Sequence, residues 1–282
     1  ALGAAGRSGH GYARDAIGGR AMTALGGPRT DDPGRLVAHR GASGAAPENT
    51  LAAIRLAATE GAGWVEVDVS VLGDGTPVLH HDADLGRTVA GAGPLSALSA
   101  EALAGLDAGG WFDPAFAGEP VPTLEAALDL VEHLGLHVNL ELKPQDAPAE
   151  RLAGTLAGAL ARRPALGHRV LVSSFDHGAL RVLRDHAPAL PLAPLWHRLP
   201  ADWRETVRAL DAGAVHLGMR GASADTVADI AGHGLDVRLF TVNDPDAAAP
   251  MRAAGLTGLF TDHVPRVLAA PGWAAWARMP RG

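Results

Sequence analysis

From residue 36 onward the chain repeats one pattern, a short run rich in Val and Leu followed by an Ala/Leu-rich stretch with helical spacing. Such alternation predicts βα units around a parallel sheet. Strands are predicted at residues 36–39, 64–71, 78–81, 137–142, 170–174, 192–195, 214–217, 237–242 and 258–261. Helices are predicted after Asn49, from Thr123, around 150–160, after Asp176, from Asp202, after Ser223 and after Asp244, with Thr123, Asp176, Asp202 and Ser223 as their caps. Nine strands are one too many for an eight-stave barrel. Only Gly73-Asp74-Gly75-Thr76 separates 64–71 from 78–81, however, and a turn that short joins antiparallel strands. The expected fold is therefore a (β/α)8 barrel with a β-hairpin after its second strand. A hairpin turn centred between Asp74 and Gly75 sets Asp68 opposite His81.

The stretch at about 83–122 is longer than an ordinary connection and is expected to form a small inserted cap over the barrel mouth. Trp111, Phe112 and Phe116 are expected to supply its core. Residues 1–34, rich in Gly, Ala and Arg without a sustained apolar period, read as a tail, and 35–282 as one barrel domain.

Composition narrows the function. Nearly half of the 282 residues are apolar and a fifth are charged, as in a folded globular protein. A net charge of -7 offers no basic surface for nucleic acid. With no cysteine, any metal must be held by oxygen or imidazole, which favours a hard cation. No stretch reaches the length of a membrane span and the N-terminus lacks the order of a signal peptide, so a cytoplasmic address is expected. Secretion after removal of a signal is the alternative, since the chain begins without Met. Lys143 is the sole lysine, and Asn occurs only at Asn49, Asn139 and Asn243. In a chain that otherwise uses Arg for Lys, these survivors point to positions where chemistry resists replacement.

Three segments carry chemistry. In the first, His39-Arg40-Gly41 leaves a strand at the catalytic face of a barrel and Pro47-Glu48-Asn49-Thr50 opens a helix. His39 can move protons near neutral pH and Arg40 can grip a phosphate. Equally, Arg40 can pair structurally with Glu48 while Asn49 or Thr50 caps the helix. In the second, Glu66 and Asp68 share one face of a strand with valines on the other. Two carboxylates inside a packed barrel need a compensating cation, for which a divalent metal is the economical explanation; a solvent-facing acidic strand edge is the alternative. On the hairpin's return arm, His80 and His81 point to opposite faces, and the register selects His81 for the site. In the third, Asn139, Glu141 and Lys143 share one face, consistent with a metal ligand beside a phosphate-binding ammonium, or with a simple Glu141–Lys143 pair at a strand end.

These motifs resemble those of the glycerophosphodiester phosphodiesterase family. The likeness runs from Leu36 to Thr261 and takes in Glu66-Val67-Asp68, His81-Asp82, Arg87-Thr88, Asp107-Ala108-Gly109-Gly110-Trp111-Phe112, Glu141-Leu142-Lys143, Ser173-Ser174-Phe175, Thr241-Val242-Asn243 and Thr261-Asp262. The resemblance implies metal-dependent hydrolysis of glycerophosphodiesters, a small-molecule substrate class, to sn-glycerol 3-phosphate and an alcohol. It implies Glu66, Asp68 and Glu141 as ligands of Mg²⁺ or Ca²⁺, His39 and His81 as acid and base, Arg40 and Lys143 as phosphate binders, and Glu48, Asn139, Phe240 and Asn243 in support. Phe240 replaces the family's usual Trp or Tyr beside the alcohol or glycerol moiety. Arg87-Thr88-Val89 replaces Arg-Thr-Thr, in a region expected to lie away from the chemistry. The alternatives are a lysophospholipase D-type or cyclising phosphodiesterase acting on lysolipids, with Trp273, Trp276 and Arg278 as an interfacial anchor rather than packing over a barrel end, and a non-catalytic phosphate-ester binder.

Overall fold

A computed structural model describes residues 34–279. The segment up to residue 33, read above as a tail, lies outside the described residues. The strands are β1 (Leu36–Ala38), β2 (Trp64–Val71), β3 (Pro77–Leu79), β4 (His137–Leu142), β5 (Val170–Ser174), β6 (Leu192–Trp196), β7 (Ala214–Gly218), β8 (Asp236–Phe240) and β9 (Gly258–Thr261). Eight run parallel, and β1 closes the ring by pairing with both β2 and β9. The ninth, β3, is antiparallel to β2. The (β/α)8 barrel and its hairpin are thus as the periodicity predicts.

Alternation along each stave sorts its side chains into two cores. One set, including Val65, Val67, Val69, Leu140 and Val172, faces outward onto helices such as Leu51–Thr59 and Leu124–Leu134. The other fills the barrel, with Val37, Trp64, Leu171, Ala193, Ala214 and Phe260 in contact. Glu66, Asp68, Asn139, Glu141 and Ser173 are also buried, with Asp68, Glu141 and Ser173 past the midpoints of their strands. Helices begin where capping oxygens satisfy free N–H groups. Thr50, Thr123, Asp176 and Ser223 each accept from the backbone N–H three residues on. Asp202 does not, because its own backbone carbonyl accepts from Glu205 N instead.

Two local expectations are corrected. In the hairpin, Val69 pairs with Leu79 and Ser70 with Val78, so Asp68 stands opposite His80, whose N–H donates to the Asp68 carbonyl. The register is one residue from the one predicted because the turn is centred on Asp74: Leu72 N bonds Thr76 O across it. In the inserted segment, Trp111 is 44% exposed, and the buried core is Leu95 and Leu103 packed on Leu72 and Val78 of the hairpin. The segment lies along the back of the hairpin, so leucines that face it are covered. The Trp111 ring instead rests against Phe112, with its indole N–H donating to Ala108 O. The segment rejoins the barrel where Leu79 N donates to Pro122 O.

The helix Trp273–Ala277 packs beneath the barrel, where Arg35 N donates to Ala277 O just before β1. Trp273 and Trp276 are 1% and 8% exposed, which removes them as an interfacial anchor. No helix among the described residues is long and apolar enough to cross a membrane. Trp273→Ala is expected to lower the unfolding free energy by about 3–5 kcal/mol in urea titrations. Turnover of the folded fraction should stay unchanged, because this helix lies at the end of the barrel opposite His39.

Candidate active site

β1 ends at Ala38, and the chain turns through Arg40 and Gly41, both in the left-handed region with φ of 56° and 79°. A side chain at position 41 would drive its Cβ to 2.6 Å from the Ala53 Cβ, so only glycine fits. This turn aims the Arg40 N–H at Glu66 Oε2 (2.9 Å) and carries His39 to within 4.0 Å of the same oxygen. On its other side, His39 Nδ1 is 2.7 Å from Asp262 Oδ1, just beyond β9.

Glu66, Asp68 and Glu141 converge, with one oxygen of each within 4.8 Å of the others, all three buried. The cause is strand geometry: Glu66 and Asp68 are two apart on one face of β2, and Asp68 is in direct register with Glu141 on β4. Asn49, also at positive φ, clamps Asp68 twice, donating Nδ2 to Oδ2 (2.7 Å) and accepting Asp68 N–H (2.9 Å). Arg40 Nε lies 3.2 Å from Asp68 Oδ2 and Lys143 Nζ 3.2 Å from Oδ1, and Lys143 also pairs with Glu141.

The electrostatics follow from these neighbours. Burial alone would raise the Asp68 carboxyl, but Lys143 and Arg40 outweigh it and hold the group well below the usual carboxylate range. Glu66 has less cationic help: burial, then the Asp68 charge, push it up to about 8. Glu141 is raised as well, by burial and Asp68, against the pull of Lys143. Burial disfavours charge on His39, yet the bond to Asp262 and the nearby Glu66 prevail and raise its pKa. His81 goes the other way, lowered chiefly by burial, with Asp68 opposing and Arg40 and Lys143 adding to the fall.

His81 follows the end of β3, where strict alternation has lapsed. Its Nδ1 bonds Asp82 Oδ1 (2.7 Å) and its carbonyl accepts from Gln145 Nε2 (2.9 Å). Glu48 pairs with Arg40 (2.7 Å) while Thr50 caps the helix, so the structural pairing foreseen for Arg40 is present in the same side chain that abuts Asp68. Asn139 donates to Ser173 Oγ, one layer beneath Glu141. Phe240, His39, Glu66, Asn139, Glu141, Leu195 and Phe260 line a cavity of about 20 Å³, room for one water. Asn243 donates to Asp262 Oδ2 (2.6 Å) and accepts its backbone N–H, fixing the residue that holds His39.

Two residues gain roles that the motifs did not assign. Asp262 orients the His39 ring; its position at the end of the last strand was the available signal. Arg87, expected away from the chemistry, reaches Glu48 and Asp82 from the inserted segment. Only the folded path of that segment brings it there.

The donors suit a divalent cation. They are all carboxylate oxygens, which hard ions prefer, and Glu66 Oε1 is buried with no hydrogen-bond partner. The (β/α)8 barrel gathers three acids, two histidines, an arginine and a lysine at its mouth, and its relatives define its class as phosphoric diester hydrolases. The Glycerophosphoryl diester phosphodiesterase family model matches residues 39–266, and the chain belongs to that family. It is 32% identical over 228 residues to a glycerophosphodiester phosphodiesterase of Caldanaerobacter subterraneus, covering 80% of this chain and 93% of that one. A phosphodiesterase of Oleispira antarctica, solved in complex with the product sn-glycerol-3-phosphate, superposes with a TM-score of 0.78 at 35% identity, over 82% of this chain and 94% of that one. A glycerophosphodiester phosphodiesterase from Agrobacterium tumefaciens gives 0.70 at 27% identity, over 84% and 100%.

Asn49→Ala should destabilise the protein, since it strands a buried carboxylate oxygen and a backbone N–H. Each such loss costs about 1–3 kcal/mol, readable as a lower urea midpoint.

Proposed function

We propose that the enzyme hydrolyses glycerophosphodiesters to sn-glycerol 3-phosphate and an alcohol, with a divalent cation held by Glu66, Asp68 and Glu141 and with His39 and His81 as acid and base. The carrying observation is the buried convergence of those three carboxylates between two histidines that have separate acidic partners. A bound Mg²⁺ or Ca²⁺ supplies Lewis-acid polarisation of the phosphoryl group. The product found in the Oleispira antarctica relative supports the substrate class.

Arg40 and Lys143 serve the phosphate. Each already faces the acidic cluster, and each is a cation beside the place where diester charge must be met. His81, whose environment favours the neutral ring, takes the proton of the attacking hydroxyl, from water or from the neighbouring glycerol hydroxyl, which would give a cyclic phosphate that water then opens. His39, whose Asp262 partner favours the charged ring, gives its proton to the departing alcohol oxygen. With water as attacker, one P–O bond forms and one breaks. The base gains the proton that the acid loses, and exchange with solvent resets both. Phe240 and Phe175, in edge contact at 5.6 Å, offer the alcohol an apolar rim.

Removal of divalent cations with excess EDTA should abolish release of glycerol phosphate from glycerophosphocholine, and add-back of Mg²⁺ or Ca²⁺ should restore it; full turnover in EDTA would refute the metal role. His39→Ala and His81→Ala should each cut kcat by about 10²–10⁴-fold while circular dichroism stays native.

The pH profile of kcat/KM, which reports the free enzyme's acid and base, should be bell-shaped. The base must be neutral, so the acidic limb follows His81 and lies below the ordinary histidine value; the acid must be protonated, so the basic limb follows His39 and lies above it. Asp262→Asn removes the charge that raises His39 and should bring the basic limb down in pH. Movement of the acidic limb alone would reverse the two roles.

A further inference from the structure

The inserted segment contributes one side chain to the mouth, and it lands between the partners of the two groups that must act together. Arg87 Nη1 and Nη2 form a two-pronged fork on Glu48 Oε2 and Oε1 (2.8 and 2.7 Å), and Nε donates to Asp82 Oδ2 at 2.6 Å. Glu48 holds Arg40, and Asp82 holds His81 Nδ1. The result is a continuous chain of alternating charge, Asp68, Arg40, Glu48, Arg87 and Asp82, that ends on the His81 ring, with every neighbour within 3.2 Å. It starts on β2, crosses the loop after β1, passes through the insertion and returns on the hairpin arm.

From this geometry we infer that Arg87 is a positioning residue that sets Arg40 and His81 relative to each other, so that the inserted segment works as a clamp on the active site. The inference rests on the roles proposed above for His81 and Arg40. A planar guanidinium can serve two carboxylates with three donors at fixed angles, which an ammonium cannot. A second anchor supports the clamp. Glu119, near the other end of the insertion, accepts Ala52 N–H at the start of the helix Leu51–Thr59. Glu48 and the first turn of the following helix are therefore held from the two ends of the same segment.

A merely structural pair would behave differently. Arg87 is 45% exposed, and Glu48 keeps its pairing with Arg40 when Arg87 is replaced, so variants should fold. Its effect on His81 has a definite sign. The ring faces Asp68 from β2, Arg40 from the loop after β1, Lys143 from the end of β4 and Asp82 beside it. Without the guanidinium, Asp82 meets His81 with its full charge and favours the imidazolium.

The test is steady-state hydrolysis of glycerophosphocholine by the full chain with Mg²⁺ or Ca²⁺ supplied, comparing Arg87→Met, Arg87→Lys, His81→Ala and Arg40→Ala. Arg87→Met should lose about tenfold to a hundredfold in kcat, the scale of an ångström-level misplacement. Its acidic limb should move to higher pH. Arg87→Lys should recover part of the pH shift but not kcat, and combining Arg87→Met with Asp82→Asn should cost less than the product of the single losses. Wild-type kcat and an unmoved acidic limb in Arg87→Met, with His81→Ala and Arg40→Ala inactive, would overturn the clamp alone. Loss of activity only in step with loss of folded protein, with Arg87→Lys equal to wild type, would also overturn it. Turnover in His81→Ala and Arg40→Ala would instead remove the reading on which it rests.

Discussion

Three carboxylates within 4.8 Å of one another inside a protein are a problem of charge before they are a site. Two like charges about 4 Å apart repel by on the order of 4 kcal/mol at an effective dielectric of 20, and burial adds the cost of lost hydration. Much around the mouth answers that repulsion. Asp68 stays ionised because Lys143, Arg40 and Asn49 surround it, whereas Glu66, with less cationic company, is pushed up to about 8. The divalent cation proposed for this site would relieve all three acids at once and would leave Arg40 and Lys143 to meet a phosphate.

The barrel makes this arrangement rigid. Asp68 and Glu141 are register partners on adjacent staves, so their spacing is set by a backbone ladder rather than by flexible side chains. Ring closure adds what a local reading does not provide. Because β1 pairs with β9, Asp262 from the last stave stands behind His39 from the first, and Asn243 after β8 steadies Asp262. The chemistry therefore draws on both ends of the chain as well as on its first three staves.

A ring of carboxylates stands outside the acidic cluster. Asp262 supports His39, Asp82 supports His81 and Glu48 supports Arg40, so both histidines and Arg40 have acidic partners of their own, whereas Lys143 pairs within the cluster. Equal supports would leave the two histidines alike. Their surroundings separate them: Asp262 and Glu66 raise the pKa of His39 against its burial, whereas at His81 burial, with Arg40 and Lys143 adding to it, outweighs Asp68 and lowers that of the ring. That asymmetry is the basis of the acid and base roles proposed for the two rings.

Much of this was legible in the linear chain, for a physical reason. Period-two alternation within strands and short-range turn chemistry are local, so the eight staves, the hairpin and the shared face of Glu66 and Asp68 followed from spacing, and the sole lysine pointed to Lys143. What stayed hidden depended on path. The hairpin register slipped by one because backbone bonds across Leu72 and Thr76, not residue types, centre the turn on Asp74. The cap's core fell to Leu95 and Leu103 rather than Trp111 because the segment's course decides which side chains meet the hairpin. Arg87 looked remote, 39 residues from Glu48, until the course of the insertion along the hairpin brought the two together. Sequence by itself determined which groups carry charge and which face of a strand they share. Only the tertiary structure decided which charges became neighbours, because that depends on barrel closure and on the route of one long loop.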